Sequence, residues 1–343
     1  MKTKAAILVA QNAPLEVDEV DVPRPGVGQV LVKIGHSGVC GKQIDEILGK
    51  RPDPFIPHLL GHEAAGVVEE VGPGVRKVRP GDSVVLHWLK GSGIDSDTPK
   101  FTRRGAAINA GWITTFSERT VVSENRVTRI DPAVPTDVAA LLGCAVTTGL
   151  GIVINNAQLK PGDSIAVFGA GGVGINVIQA AFLVNAHPII AVDVNDGKLE
   201  WAKAFGATHV VNSSREDAVL AVKAIAGPDG VHASVDTVGH PAVRSAAYDA
   251  TGKAGITVFA GVPRAEDRLS FDSFPLHGGR RVVGSHGGEA RPDTDIPRCV
   301  RLFQAGKLKL TEQITHRFPL ERVNEAIGIV RSGEAGRCLL AMS

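Results

Sequence analysis

A chain of 343 residues with 43% apolar residues and 40 glycines has an ordinary globular composition and is long enough for two domains. A formal net charge of +1, with no clustered basic stripe, excludes nucleic-acid binding by bulk electrostatics. Four cysteines (Cys40, Cys144, Cys299, Cys338) lie far apart without a Cys-x-x-Cys, which excludes a disulfide framework and points to reduced thiols in a cytoplasmic protein.

The apolar run 5–10 follows Lys2 and Lys4, but it is too short for a secretory core or a membrane span and reads as a first strand. Further strands are expected over 30–34, 64–71, 83–87 and 120–122. Turn-rich loops such as Pro23-Arg-Pro25-Gly26 and Arg79-Pro-Gly-Asp82 separate them, so this part reads as a small, largely antiparallel β-domain. Residues 90–112 read as one long irregular loop, of the kind that is usually functional or mobile. A helical pattern over 136–155 leads into strict alternation. Strands are expected at 164–168, 188–192, 209–211, 233–236, 256–260 and 281–284, and helices at 175–184, 199–205, 216–225 and 241–250. That order implies a parallel sheet covered on both faces. After Gly288 the alternation stops: helix 296–304, strand 314–318, helix 320–331 and strand 338–342 are expected to rejoin the first domain and make it discontinuous.

The segment Gly169-Ala-Gly171-Gly172-Val173-Gly174 sits between a buried strand and a helix, the context in which Gly-x-Gly-x-x-Gly marks a dinucleotide site. Gly169 permits the tight turn, Gly171 lets a pyrophosphate approach the backbone, and Gly174 lets helix and strand pack closely. Asp193 closes the next strand and is placed to accept hydrogen bonds from ribose hydroxyls. Its charge would repel a 2′-phosphate, and Val194 and Asn195 supply no cation, so NAD is expected rather than NADP. A Gly-rich turn in an ordinary strand–helix unit accounts for the context less well.

Cys40, His62 and Cys144 are the residue types tetrahedral zinc prefers, with a fourth position left for water or substrate. Sequence spacing alone leaves each a bland role, as a small buried hydrophobe or a satisfied histidine.

Gly61-His-Glu-Ala-Ala-Gly66 with Gly72 and Val75, Gly38-Val-Cys40-Gly41, and Leu142-Gly-Cys144 with Thr147-Thr-Gly149 resemble, in combination with the glycine loop, the zinc-dependent alcohol dehydrogenases of the medium-chain dehydrogenase/reductase family. The resemblance covers nearly the whole chain. It implies an α/β fold: a Rossmann NAD-binding domain (146–286) within a discontinuous, β-rich, GroES-like catalytic domain (1–145 and 287–343). It also implies one catalytic zinc on Cys40, His62 and Cys144, with Glu63 able to approach the metal and Thr148 beside the nicotinamide. Val238, Val262, Lys198 and Arg337 match cofactor contacts, the two basic residues lying near the adenosine and pyrophosphate. Relatives pair through the edge strand near 281–284, which implies a homodimer or homotetramer. Trp88 and Trp112 resemble cleft-lining positions, and both equally suit anchoring of the 90–112 loop.

Three departures stand out. Residues 87–116 contain no cysteine, so the structural zinc of many relatives is expected to be missing. Where relatives carry a Ser or Thr hydroxyl and an Asp after the first cysteine, this chain has Lys42 and Gln43, and Asp45 replaces a frequent His. Lys42 is a candidate proton acceptor or a grip for a substrate anion; alternatively it pairs with Glu63, Asp45 or Glu46 and is structural. The expected activity is interconversion of an alcohol, polar or polyhydroxylated and secondary, with a carbonyl by hydride transfer to NAD, zinc polarising the oxygen and domain closure excluding water. The altered relay keeps open a same-fold enzyme with another net reaction, an enone or quinone reductase or a lyase using transient NAD redox. A non-catalytic nucleotide-binding protein is the remaining rival. The partner is a small molecule, with no nucleic acid or membrane involved.

Overall fold

A computed structural model describes residues 1–50 and 54–343. The chain divides into two compact units, Met1–Cys144 with Arg291–Ser343, and Ala145–Ala290.

In the first unit, strands Lys2–Leu8, Glu16–Asp21, Lys100–Arg103, Ala106–Asn109 and His58–Leu59 close into a barrel. A second sheet runs in the order Val127–Arg129, Ser83–His87, Glu63–Val71, Gln29–Val39, Arg337–Ala341, Ile314–Pro319. Its core alternates as a one-sided sheet must: Val30, Val32 and Ile34 on one strand meet Ala64 and Val68 on the next and Val84 and Leu86 beyond. Strand Glu16–Asp21 was not foreseen because EVDEVD is mostly acidic. It is held by cross-strand cations, Lys2 to Glu19 at 3.1 Å and Arg103 to Glu16 and Asp18 at 2.7 Å each.

Two expectations for this part of the chain are corrected. The 90–112 stretch is not one irregular loop: Lys100–Arg103 and Ala106–Asn109 form an antiparallel hairpin. Its two-residue turn places Arg104 at φ 51° and Gly105 at φ 82°, the positive φ pair of a tight hairpin, with glycine where the strain would be greatest. The helix expected over 136–155 is also broken. It runs as Thr136–Ala140 and a 3-10 turn Leu141–Gly143, then departs from helical geometry at Cys144 (φ −147°, ψ −81°) before resuming as Ala145–Gly151.

His87, which closes strand Ser83–His87, is fully buried as a neutral imidazole. Its Nδ1–H donates to the Leu89 carbonyl at 2.7 Å and its Nε2 accepts from the Thr128 hydroxyl at 3.0 Å. Burial pushes its pKa down to about 4. Between that value and the unfolded value near 6.5 the unfolded chain holds more protons, so stability is complete above pH 6.5 and is lost as pH falls towards 4, by up to about 3 kcal/mol. Urea unfolding followed from pH 7 to 4 is expected to show this loss, with a flatter profile in His87→Gln; equal slopes in the two proteins would contradict it.

The second unit is a six-stranded parallel sheet in the order His209–Asn212, Ile189–Asp193, Ile165–Phe168, Val231–Asp236, Thr251–Phe259, Arg281–Gly284. Ile165–Phe168 is buried at every position, as a central strand covered on both faces requires. Strand order reverses beside this strand, which sets a ligand crevice at its carboxyl end. Helix Ala218–Ala226 starts two residues later than its apolar pattern suggests, because the Asp217 side chain accepts from the amides of Val219 and Leu220 and caps it.

Candidate active site

Register delivers the first site. Gln29–Val39 pairs antiparallel with Glu63–Val71, Ser37 opposite Ala64, and with Arg337–Ala341 on its other side, Cys338 opposite Val39. The strand ends therefore bring Cys40, His62, Glu63 and Arg337 side by side. Gly61, at φ +95°, turns the chain so that His62 faces the cluster, and a Cβ at Gly38 would fall 2.6 Å from the Glu63 carboxyl carbon. Cys144 comes in from the helix break.

The ligand atoms of Cys40, His62, Glu63 and Cys144 all lie within 4.8 Å of one another, and this is the one such cluster among the described residues. His62 Nε2 is 3.3 Å from Cys144 Sγ. Glu63 and Cys144 form the buried floor, whereas Cys40 and His62 are half-buried and leave the rim open. A hydrogen bond from Cys144 holds the Cys40 thiol well below the usual thiol range against the cost of burial, with His62 and Arg337 adding to the effect; Cys144 is correspondingly held up. Burial lowers the affinity of the His62 imidazole for a second proton, and the hydrogen bond and charge of Cys40 together with the Glu63 and Glu46 carboxylates outweigh it. The Gln43 amide turned towards His62 Nδ1 opposes that second proton.

Beneath the thiols, Arg337 pairs with Glu63, both nearly inaccessible. Burial raises the Glu63 carboxyl and the guanidinium counteracts it. Burial likewise works against the Arg337 cation, and Glu63 with Cys40 and Cys144 outweighs it. Glu63 Oε2 and Arg337 Nε are buried with no hydrogen-bond partner. Two thiols, one imidazole and an unsatisfied carboxylate oxygen in one half-open cluster fit a divalent zinc with an open position, and not a closed structural site.

Lys42 lies on the first turn of helix Gly41–Ile47, its side chain 44% exposed and paired with Glu46 at 3.2 Å. Trp112 is 70% exposed, with the Arg126 guanidinium 5.6 Å from its ring; the same guanidinium donates to the Trp88 carbonyl. Arg126 thus ties both tryptophans together.

In the second unit, Gly169 (φ +98°) ends strand Ile165–Phe168, and Gly171 caps helix Gly172–Leu183, which includes Val173. A Cβ at Gly174 would strike the Gly169 carbonyl. The carboxylate of Asp193 accepts from the amides of Ala170 (2.8 Å) and Asn195 (3.0 Å), which fixes it beside the glycine turn. A cavity of about 420 Å³ opens there, lined among others by Gly169, Asp193, Val194, Ser213 and Val238. Lys198 is in the first turn of the next helix, its amide capped by Asn195. Val238 and Val262 are half-exposed, and Thr148 is buried in Ala145–Gly151.

Sequence reasoning missed Asp236. This buried carboxylate accepts from the amides of Val238 and Gly239, while Arg244 bonds both Asp236 and the Gly261 carbonyl, locking the turns that carry Val238 and Val262. An acidic residue closing a buried strand just before a glycine was the available signal. Arg337, which the resemblance assigned to the cofactor, is a residue of the first unit and its guanidinium is engaged by Glu63.

Residues 26–132 match the alcohol dehydrogenase GroES-like domain family, and 172–305 match the zinc-binding dehydrogenase family. The chain is 36% identical to an S-(hydroxymethyl)glutathione dehydrogenase of Photobacterium damsela subsp. piscicida, covering 99% of this chain and 100% of that protein. It is 34% identical to a class-3 alcohol dehydrogenase of Cereibacter sphaeroides, with the same coverage. Among solved structures, benzyl alcohol dehydrogenase from Acinetobacter calcoaceticus superposes with a TM-score of 0.92 at 29% identity, covering 100% of each chain. The chain belongs to the zinc- and NAD-dependent alcohol dehydrogenases of the medium-chain dehydrogenase/reductase family, enzymes that interconvert alcohols and carbonyl compounds.

Proposed function

We propose that the substrate is a polar secondary alcohol, polyhydroxylated or anionic, and that Lys42 grips its polar group. The observation that carries this is the position of a half-exposed ammonium two residues from Cys40, where relatives carry a hydroxyl. Its pair with Glu46 is an exposed i,i+4 contact, a type worth only about 0.3–0.5 kcal/mol, so a substrate anion can replace it. The similar S-(hydroxymethyl)glutathione dehydrogenases are named for a hydroxymethyl adduct of glutathione, which belongs in the same test.

Cys40, His62 and Cys144 would hold zinc, and Glu63 would supply its buried oxygen from below. When bound, zinc supplies a Lewis acid that polarises the substrate oxygen, and NAD supplies the hydride acceptor. The amides at the start of Gly172–Leu183 would take the pyrophosphate, Asp193 the ribose hydroxyls, and Val238, Val262 and Thr148 the nicotinamide end. Lys198 would lie against the adenosine side.

One experiment tests this reading: initial rates of metal-replete enzyme on simple alkanols, polyols and anionic alcohols, with NAD and NADP. The expected result is a preference for polar alcohols and for NAD. Lys42→Met should raise KM for the preferred substrate roughly ten- to hundredfold with little change in kcat, because a charged contact shared by ground and transition states is lost. A kcat loss of two to four orders of magnitude at constant KM would instead make Lys42 the proton acceptor. A preference for alkanols would contradict the proposal.

Strand Arg281–Gly284 is an edge of its sheet, and we propose that two copies pair there into a homodimer in the cytosol. Light scattering at micromolar concentration should give at least twice the 35.8 kDa chain mass; a monomer would contradict it.

A further inference from the structure

We propose that the Gln43 side-chain amide is a two-position latch turned by metal loading, which links the metal site to the start of the helix that carries Lys42. This rests on the reading that Cys40, His62 and Cys144 hold zinc.

Gln43 is 1% exposed and lies between two groups that make opposite demands on it. Its Oε1 accepts the Cys40 backbone N–H at 3.1 Å, closing the first turn of Gly41–Ile47. Its Nε2 is then the atom that faces His62 Nδ1. An amide nitrogen only donates, so Nδ1 must offer a lone pair and the imidazole proton sits on Nε2, aimed at Cys144 Sγ 3.3 Å away. That Nε2 is also the nitrogen turned to the thiols, and hence the ligand atom. A nitrogen bonded to a metal carries no proton, so a neutral imidazole holding zinc must carry its proton on Nδ1.

The Nδ1–H would then point at the Gln43 –NH₂, donor against donor in a buried site. Rotation of the amide resolves the conflict: Oε1 turns to accept from His62 Nδ1–H, and Nε2 turns towards the Cys40 N–H. The imidazole keeps the same number of protons throughout. The Cys40 amide is the group that loses its acceptor, so loading the metal releases the cap of the helix whose first turn holds Lys42. A carboxylate here would escape the trade, because its two oxygens accept from both groups at once. The neutral amide couples what a carboxylate would leave independent.

The test is amide hydrogen exchange over residues 40–44 of the full chain, without and with one equivalent of zinc, beside zinc affinity from competition with a chromophoric chelator. Exchange at Cys40 is expected to quicken about tenfold on loading in the native protein and to stay slow in Gln43→Glu. The Glu variant should also bind zinc roughly ten- to hundredfold more tightly, the usual reach of a group that orients a ligating histidine. Added negative charge alone would tighten zinc without changing how exchange responds to it, so the exchange comparison identifies the latch. If Gln43→Glu fails to fold, the native exchange measurement decides alone. Zinc that binds stoichiometrically without altering Cys40 exchange overturns the latch and leaves the metal site standing. Zinc that does not bind at all overturns both.

Discussion

Cys144→Ala is expected to lose zinc and alcohol oxidation together while keeping its fold. Cys144 closes the cluster from the helix break, 3.3 Å from His62 Nε2, and no other described thiol is in position to replace it. With only Cys40, His62 and the Glu63 carboxylate left, retention of the metal falls, and with it the several kcal/mol a Lewis acid contributes; activity should fall roughly three orders of magnitude or more. The fold should survive, because Cys144→Ala removes a single buried sulfur atom and leaves the backbone of the helix break unchanged in kind. A catalytic metal with an open position is not a folding staple. Circular dichroism and the thermal transition should therefore stay close to those of the unmodified protein. A variant that turns over normally would remove Cys144 from the site. One that unfolds would make the metal structural.

Arg337→Met is expected to act in the opposite sense, on stability first. The guanidinium is nearly inaccessible and pairs directly with the buried Glu63 carboxylate, with two thiols above it. Removing it strands a charge in a low-dielectric floor, which costs about 3–5 kcal/mol when one partner of a buried pair is deleted. Glu63→Leu with Arg337→Met should recover most of that loss, because two apolar side chains leave no stranded charge. Urea unfolding of the two variants measures it directly. Unchanged stability with weaker NAD binding would return Arg337 to the cofactor role that the resemblance suggested.

Which features were legible in the sequence follows from how local their causes are. Strands Ser83–His87 and Arg281–Gly284 and helix Pro241–Ala250 have the bounds their patterns suggest, since apolar spacing and a proline at the first helical position are local signals. The glycine turn and Asp193 were readable for the same reason: one short segment contains the whole device. Features set by distant partners were not readable. Glu16–Asp21 is a strand because it pairs along its whole length with the first strand and buries Val20, and nothing within those six residues says so. The helix breaks at Cys144, whereas the apolar run through it reads as continuous helix. Arg337 reads as an ordinary basic residue opening a last strand until register places it beside Cys40 and Glu63. Gln43 was visible as a departure, yet its double engagement with Cys40 and His62 depends on the Gly61 turn that leads into the neighbouring strand.

This cluster is expected to hold a single catalytic zinc, and metal analysis joined to zinc X-ray absorption on protein purified without chelator decides the matter. The expected result is one zinc per chain, bound by two sulfurs, one imidazole nitrogen and light oxygen atoms. Protein free of zinc, a second zinc, or a four-sulfur environment would contradict it.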